Sequence, residues 1–339
     1  MPEGIKTVSV SGVPDAAKLW QEVVDASPDA WLWHTRIGFE FNFCAGQKYG
    51  AEDRSFFMYK DSKPVGVAPL IVEDARDGSG KKEARYYSGF TPWPCFRKEI
   101  QGEELAALED AAFTEIEKRV AALGVARVRV QLTPPKDKGS EKERVERIAK
   151  KYEYKIIPVE LHVVDIGEHA LSNIRERYRR YYKKFSPFFD LTIAEGAAVT
   201  PELEETYVKL HTKDAGGQFR SRESYTKQAD TARGNEGFYA VATEKATGKV
   251  AGMLLISLYH GAALDNSTAV DPDYQHMRVS NLMKTRVIEE LQSRGITSYV
   301  LGDKVGPDAT KKEKGISLFK DGYARGNFRT VYALEKVMQ

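Results

Sequence analysis

The chain has 339 residues, enough for two domains that each bury a core of their own. Its 51 basic and 49 acidic residues leave a formal net charge of +2, so no overall field draws it to nucleic acid or anionic lipid. Any anion site must come from local clustering, and the 42% apolar, 29% charged and 11% aromatic fractions are those of a globular protein.

Cys44 and Cys95 stand far apart in apolar or aromatic surroundings, which favours two free thiols over a disulfide, and no metal-type spacing is present. Met1–Lys6 has no apolar signal-like run, and no stretch is long enough to span a bilayer. A cytoplasmic protein with no membrane span and no metal is the expectation.

Residues 14–26 read as a short amphipathic helix with Leu19, Trp20, Val23 and Val24 on one side. The aromatic stretch 31–39 follows. Within it His34 is either a general base or a packed histidine, and Arg36 either meets a phosphate or caps local structure. Residues 54–59 and 64–72 are strands joined by the turn Lys60-Asp61-Ser62-Lys63, and a third strand lies near 84–88 after the glycine-rich tip 75–82. Gly89–Phe96 holds two prolines and three aromatics, including Trp93. It suits a rigid aromatic pocket wall, or a loop packed over the core, but not a central strand.

Residues 103–122 form a helix whose acidic start and basic end suit its dipole. The strand at 126–132 ends at Pro134-Pro135, a charged helix spans about 140–151, and 155–166 is again a strand. This order makes an α+β unit around a mixed sheet rather than repeated βαβ units.

Residues 170–186 interleave Arg175, Arg177, Arg179, Arg180, Lys183 and Lys184 with Tyr178, Tyr181, Tyr182 and Phe185. Such a surface suits a nucleic-acid backbone. It equally suits a connecting helix whose tyrosines pack between domains. The second half then repeats the first: a strand at 188–194, helices at about 201–213 and 222–231, strands at 237–244, 249–258 and 261–268, a long helix at about 278–293, and strands at 297–301 and 328–337. Between the last two strands lies Lys311–Tyr323, cationic and glycine-punctuated, read as a loop that presents Lys320 to an anion.

Helices, antiparallel meander, helix, strand, loop and strand make up the order of the GCN5-related N-acetyltransferase (GNAT) fold. The expected class is α+β, with two tandem GNAT-like (acyl-CoA N-acyltransferase) domains and mixed central sheets. The expected division is residues 1–168, a basic linking helix over 169–187, and residues 188–339. The chain resembles the FemAB family of tandem-GNAT aminoacyl and peptidyl transferases at several places. These are Trp33 and the aromatics after it, Pro64–Leu70, the basic joint Ile174–Arg180, Leu210-His211, Leu301-Gly302 and above all Ile316-Ser317-Leu318-Phe319-Lys320.

The resemblance implies acyl transfer onto an amine, with aminoacyl-tRNA as donor and a phosphorylated or peptide-bearing small molecule as acceptor, in a monomer without a bound cofactor. It makes Phe319 and Lys320 the catalytic pair and carries phosphate contacts loosely onto Arg36 and onto Arg220 or Arg222. Tyr274, Asp303 and Trp93 complete the expected substrate-binding set. One departure bears on the donor: Tyr274–Asn281, before the long helix, has no glycine where acetyl-CoA-dependent relatives cradle pyrophosphate on bare backbone. Coenzyme A is thereby disfavoured.

Aminolysis of an activated ester needs alignment, a neutral amine and a donor to the oxyanion, and Lys320 fits the last role. Asp265, Asp303 and His276 are the candidate bases. A CoA- or carrier-dependent GNAT N-acyltransferase and a non-catalytic tRNA- or glycan-binding scaffold remain the alternatives.

Overall fold

A computed structural model describes residues 4–132 and 140–338; Met1–Glu3 and the expected Pro134-Pro135 terminator lie outside them. The chain forms two units, Met1–Val159 with Thr330–Gln339, and Glu160–Arg329. The expected division differs from this in two places. The basic helix is part of the second unit instead of a separate linker, and the last strand returns to the first unit.

In the first unit, Ile5–Ser9, Phe56–Lys60, Lys63–Ala68 and Cys95–Phe96 form one antiparallel sheet. A second, mixed sheet pairs Val125–Gln131 antiparallel with Ala333–Val337 and parallel with Lys82–Ala84. The helix Gly102–Ala122 packs its apolar stripe (Leu108, Phe113, Ile116, Val120) into the core beside Val128 and Val130.

The aromatic stretch, given no secondary structure from the sequence, runs into a helix, Arg36–Gly46, capped by Thr35, whose hydroxyl accepts from the Gly38 amide at 3.1 Å. Phe39, Phe41 and Phe43 alternate as in a strand, which masks the helical period. Both cysteines are free, and burial pushes the Cys95 thiol up to about 12.

His34 is fully buried: Nδ1 accepts from the Trp31 amide at 2.9 Å and Nε2 lies 2.6 Å from the Trp93 carbonyl. Burial holds its pKa at about 4 against the usual 6.5. It is a packed histidine. The unfolded chain binds the proton more readily, so stability from this source is complete above pH 6.5 and is lost as the pH falls. By pH 4 the loss reaches about 3 kcal/mol. Urea midpoints at pH 7 and pH 4.5 should therefore diverge more in the native protein than in His34→Gln.

The second unit is built on the meander Phe189–Ala194, Gly237–Glu244, Val250–Tyr259 and Ala262–Val270. Its centre is buried on both faces: Phe238, Leu254 and Ile256 meet the long helix Val279–Ser293, while Tyr239, Val241, Met253 and Leu255 meet Pro201–Ala215 and Arg222–Arg233. Ala262–Leu264 runs parallel to Ser298–Val300 and the pairing stops there. Ser298–Asp303 pairs along its other edge with Leu161–Asp165. The opening where these two parallel strands stop pairing positions the site.

The basic segment is broken at Ile174-Arg175 into Ala170–Asn173 and Glu176–Phe185. Its tyrosines pack within the second unit. Tyr178 lies against Phe319 and Tyr323, and Tyr182 Oη donates to Glu289 at 3.3 Å.

Candidate active site

Lys311–Ala324 is a helix, not the expected loop. Thr310 and Glu313 close its N-terminus as a reciprocal capping box. Gly322 stays in the helix because Tyr178 packs on it: a Cβ there would fall 2.0 Å from the tyrosine ring. The helix carries Ser317, Phe319, Lys320 and Tyr323 towards the end of Ser298–Asp303.

Lys320 is half-buried, its ammonium lying against Gly302, where φ is +95° and a Cβ would come 2.9 Å from Nζ. Burial pushes the Lys320 pKa down, against the opposing pull of Asp303. Asp303 sits at the solvent-facing rim, and the surrounding protein raises its carboxyl pKa in spite of Lys320's charge. Both shifts favour the neutral form of the group over the charged one. Gly302→Ala should lower stability by about 1–3 kcal/mol, because a Cβ is strained at this φ and meets the ammonium; urea unfolding beside the native chain checks this.

Behind this pair lies a second one. Lys284, on the long helix, contacts the Asp265 carboxylate, and their side chains are only 5% and 9% exposed. Tyr299 Oη donates to the same carboxylate at 2.8 Å, and burial keeps that phenol protonated. Burial and then Lys320's charge push the Lys284 ammonium down to about 7, a pressure opposed by the Asp265 carboxylate in contact with it. Lys284 Nζ also lies 5.7 Å from the centre of the Phe319 ring. Phe319 thus stands between a buried cation and the Tyr178–Tyr323 cluster. That packing fixes the turn bearing Lys320.

A third group is His162, which pairs with Gly302 across the strands. It is 2% exposed, and its Nε2 lies 2.9 Å from Ser317 Oγ. Burial and Lys320's charge lower its pKa, so the imidazole is neutral near pH 7.

Residues 170–312, within the second unit, match the family model described as an acetyltransferase (GNAT) domain. The crystal structure of FemX is similar over 98% of this chain and 97% of its own, at a TM-score of 0.67 and 11% identity. The chain has the tandem GNAT fold. L-PGS from Bacillus licheniformis is similar at a TM-score of 0.59 and 12% identity, over 94% of this chain and 90% of its own. A tandem GNAT protein of the clavulanic acid biosynthesis pathway is similar at a TM-score of 0.54 and 10% identity, over 98% of both chains. No curated relative matches the sequence.

Of the residues expected at the site, the second GNAT unit brings Lys320, Phe319 and Asp303 together. Asp265 is already held by Lys284 and Tyr299, so it is not a free base. Arg220 is 8% exposed, lies over Tyr225 and donates to Gln228 at 2.9 Å; Gln228 in turn reaches Asn266, the extra residue of a bulge in Ala262–Val270. Arg222 pairs with Glu204 and Glu205 and ties two helices together. Tyr274 donates to Glu244 at 2.7 Å and meets Phe189 edge-on. These contacts of Arg222 and Tyr274 do not include Lys320 or Asp303.

In the first unit Arg36 pairs with Glu40 at 2.8 Å and covers Trp20 and Phe39. Trp93 is not a pocket wall: at 1% exposure it packs on Phe113 and donates to Glu109. No helix among the described residues is long and apolar enough to cross a membrane.

His162, Ser317, Lys284 and Tyr299 were not singled out from the sequence. Lys284 carried a usable signal: with Val287, Ile288 and Leu291 it shares the apolar stripe of its helix, where an ionisable group must find a partner. His162 carried none, since it is the lone polar ring in an apolar strand.

Proposed function

We propose that the protein transfers an aminoacyl group, carried as an ester on tRNA, to a primary amine of a small phosphate- or peptide-bearing acceptor. The observation that carries this reading is Lys320, a half-buried ammonium set against Gly302 and beside Asp303 where two parallel strands stop pairing. As the attacking amine adds to the ester, the carbonyl oxygen becomes negative, and an aimed donor to it is worth about 3 kcal/mol. Alignment of the two reactants supplies up to about 7–11 kcal/mol more. Asp303, with its raised pKa, receives the amine's proton, and Lys320 neutralises the leaving oxygen.

The surface around the donor's approach supports RNA over coenzyme A. Arg278 takes the left-handed conformation directly before the long helix, at φ 58°, and lies over Tyr181. A bulky cation, not a bare backbone cradle, thus stands at that helix N-terminus. On the neighbouring helix Arg177, Arg179, Lys183 and Lys184 are exposed and form no ion pair among the described residues. Phosphates spaced along a polynucleotide meet such a surface with strong salt dependence.

The test offers charged tRNA and acetyl-CoA separately with an amine acceptor and weighs the product. Aminoacylated product from tRNA alone supports the reading. Acetylated product alone would replace it with a CoA-dependent N-acyltransferase.

A further inference from the structure

We propose that Ser317 is an acyl-accepting nucleophile with His162 as its base, so that the site passes its acyl group through a serine ester. This rests on the acyl-transfer reading above but not on the identity of the donor. Ser317 lies three residues before Lys320 on one helix, so the two side chains share a face with an axial offset of about 4.5 Å. The Val305 amide lies 3.5 Å from Ser317 Oγ on its acceptor side, which leaves the hydroxyl proton for His162 Nε2 at 2.9 Å. Nucleophile and base are therefore within hydrogen-bond reach, the first requirement of an activated hydroxyl.

His162 is built in at a cost. It is 2% exposed, and its Nδ1 has no hydrogen-bond partner. A buried imidazole nitrogen left unpaired is costly for a residue that only fills space. Its orientation comes instead from packing, edge-on against Phe328 at 5.0 Å, and from strand pairing opposite Gly302. The ring is neutral near pH 7, as a base must be. The Lys320 ammonium, one turn on, is placed for the carbonyl oxygen of an ester that Ser317 attacks.

The chemistry balances without any further reagent. Ser317 Oγ bonds to the ester carbon, its proton passes to His162 Nε2, and the carbon–oxygen bond to the carrier breaks as the leaving oxygen takes that proton. In the second half the acceptor amine attacks the serine ester; on this serine route His162, in place of Asp303, takes the amine's surplus proton, and Oγ regains it as the carbon–Oγ bond breaks.

The experiment incubates the full chain with 4-nitrophenyl acetate, follows nitrophenolate release, and locates the adduct by peptide mass with and without hydroxylamine. The expected result is a burst of about one nitrophenolate per chain and a hydroxylamine-labile acetyl on Ser317. Ser317→Ala should abolish the adduct, and His162→Gln should slow its formation by roughly a hundredfold or more while circular dichroism stays native. A wild-type chain that forms no labile adduct, or an adduct that persists in Ser317→Ala, overturns the proposal. Undiminished transfer from charged tRNA in Ser317→Ala overturns the nucleophile and leaves the proposed function standing. A Ser317 adduct in a protein that ignores charged tRNA does the reverse.

Discussion

Lys320→Ala is expected to fold normally and to lose transfer by at least about a hundredfold, the scale set by removing one aimed oxyanion donor. The loss should fall on kcat more than on KM, because the developing charge exists only in the transition state. Stability should change little. The lysine is half-buried against a carboxylate at the rim, and its removal relieves desolvation as well as ending an attraction. Lys320→Arg should not restore the rate, since a planar guanidinium cannot take the place of a point charge packed on the Gly302 backbone. Steady-state kinetics beside thermal melts separates these outcomes.

Asp265→Ala should strongly destabilise the second unit. It leaves the Lys284 ammonium buried without its carboxylate and the Tyr299 hydroxyl without its acceptor. Stranding one partner of a buried pair costs about 3–5 kcal/mol. The double variant Asp265→Ala with Lys284→Met removes both charges and should recover most of that loss. Urea unfolding of the two variants measures the difference. A recovery without recovery of transfer would show that the pair also serves to hold Phe319 and the turn that carries Lys320.

Much of the second unit is legible in the sequence for a physical reason. Its strands from Gly237 to Val270 are buried on both faces and so read as apolar runs, and its helices Pro201–Ala215 and Arg222–Arg233 begin at Thr200 and Ser221 caps. The first unit is harder. Alternating phenylalanines in Arg36–Gly46 carry a strand's period inside a helix, where each finds a ring partner and Gly38 and Asn42 beside them are buried too.

The helix Lys311–Ala324 hid behind Gly315 and Gly322. Its Thr310–Glu313 capping box was the local signal against a loop, and Gly322 is explained only once Tyr178 is seen on it. At the site, the Phe319-Lys320 pair was legible as a motif and Asp303 as one of three candidate bases, but not that Asp303 lies beside Lys320. The Lys284–Asp265–Tyr299 cluster and the His162–Ser317 pair were not, because each joins residues that only the meeting of strand and helix ends brings into contact.

The most direct test of the central claim asks which lysine the donor's acceptor end reaches. Periodate-oxidised tRNA carries a 3′ dialdehyde that forms an imine with a nearby neutral amine, and borohydride fixes it for peptide mapping. Burial lowers the Lys320 pKa and so raises the neutral fraction that can form the imine, an effect the exposed Lys311, Lys312 and Lys314 lack the burial for. A fixed adduct on Lys320 is expected, lost in Lys320→Ala and suppressed by competing charged tRNA. An adduct confined to Lys311, Lys312 and Lys314, with Lys320 unmodified, would contradict it.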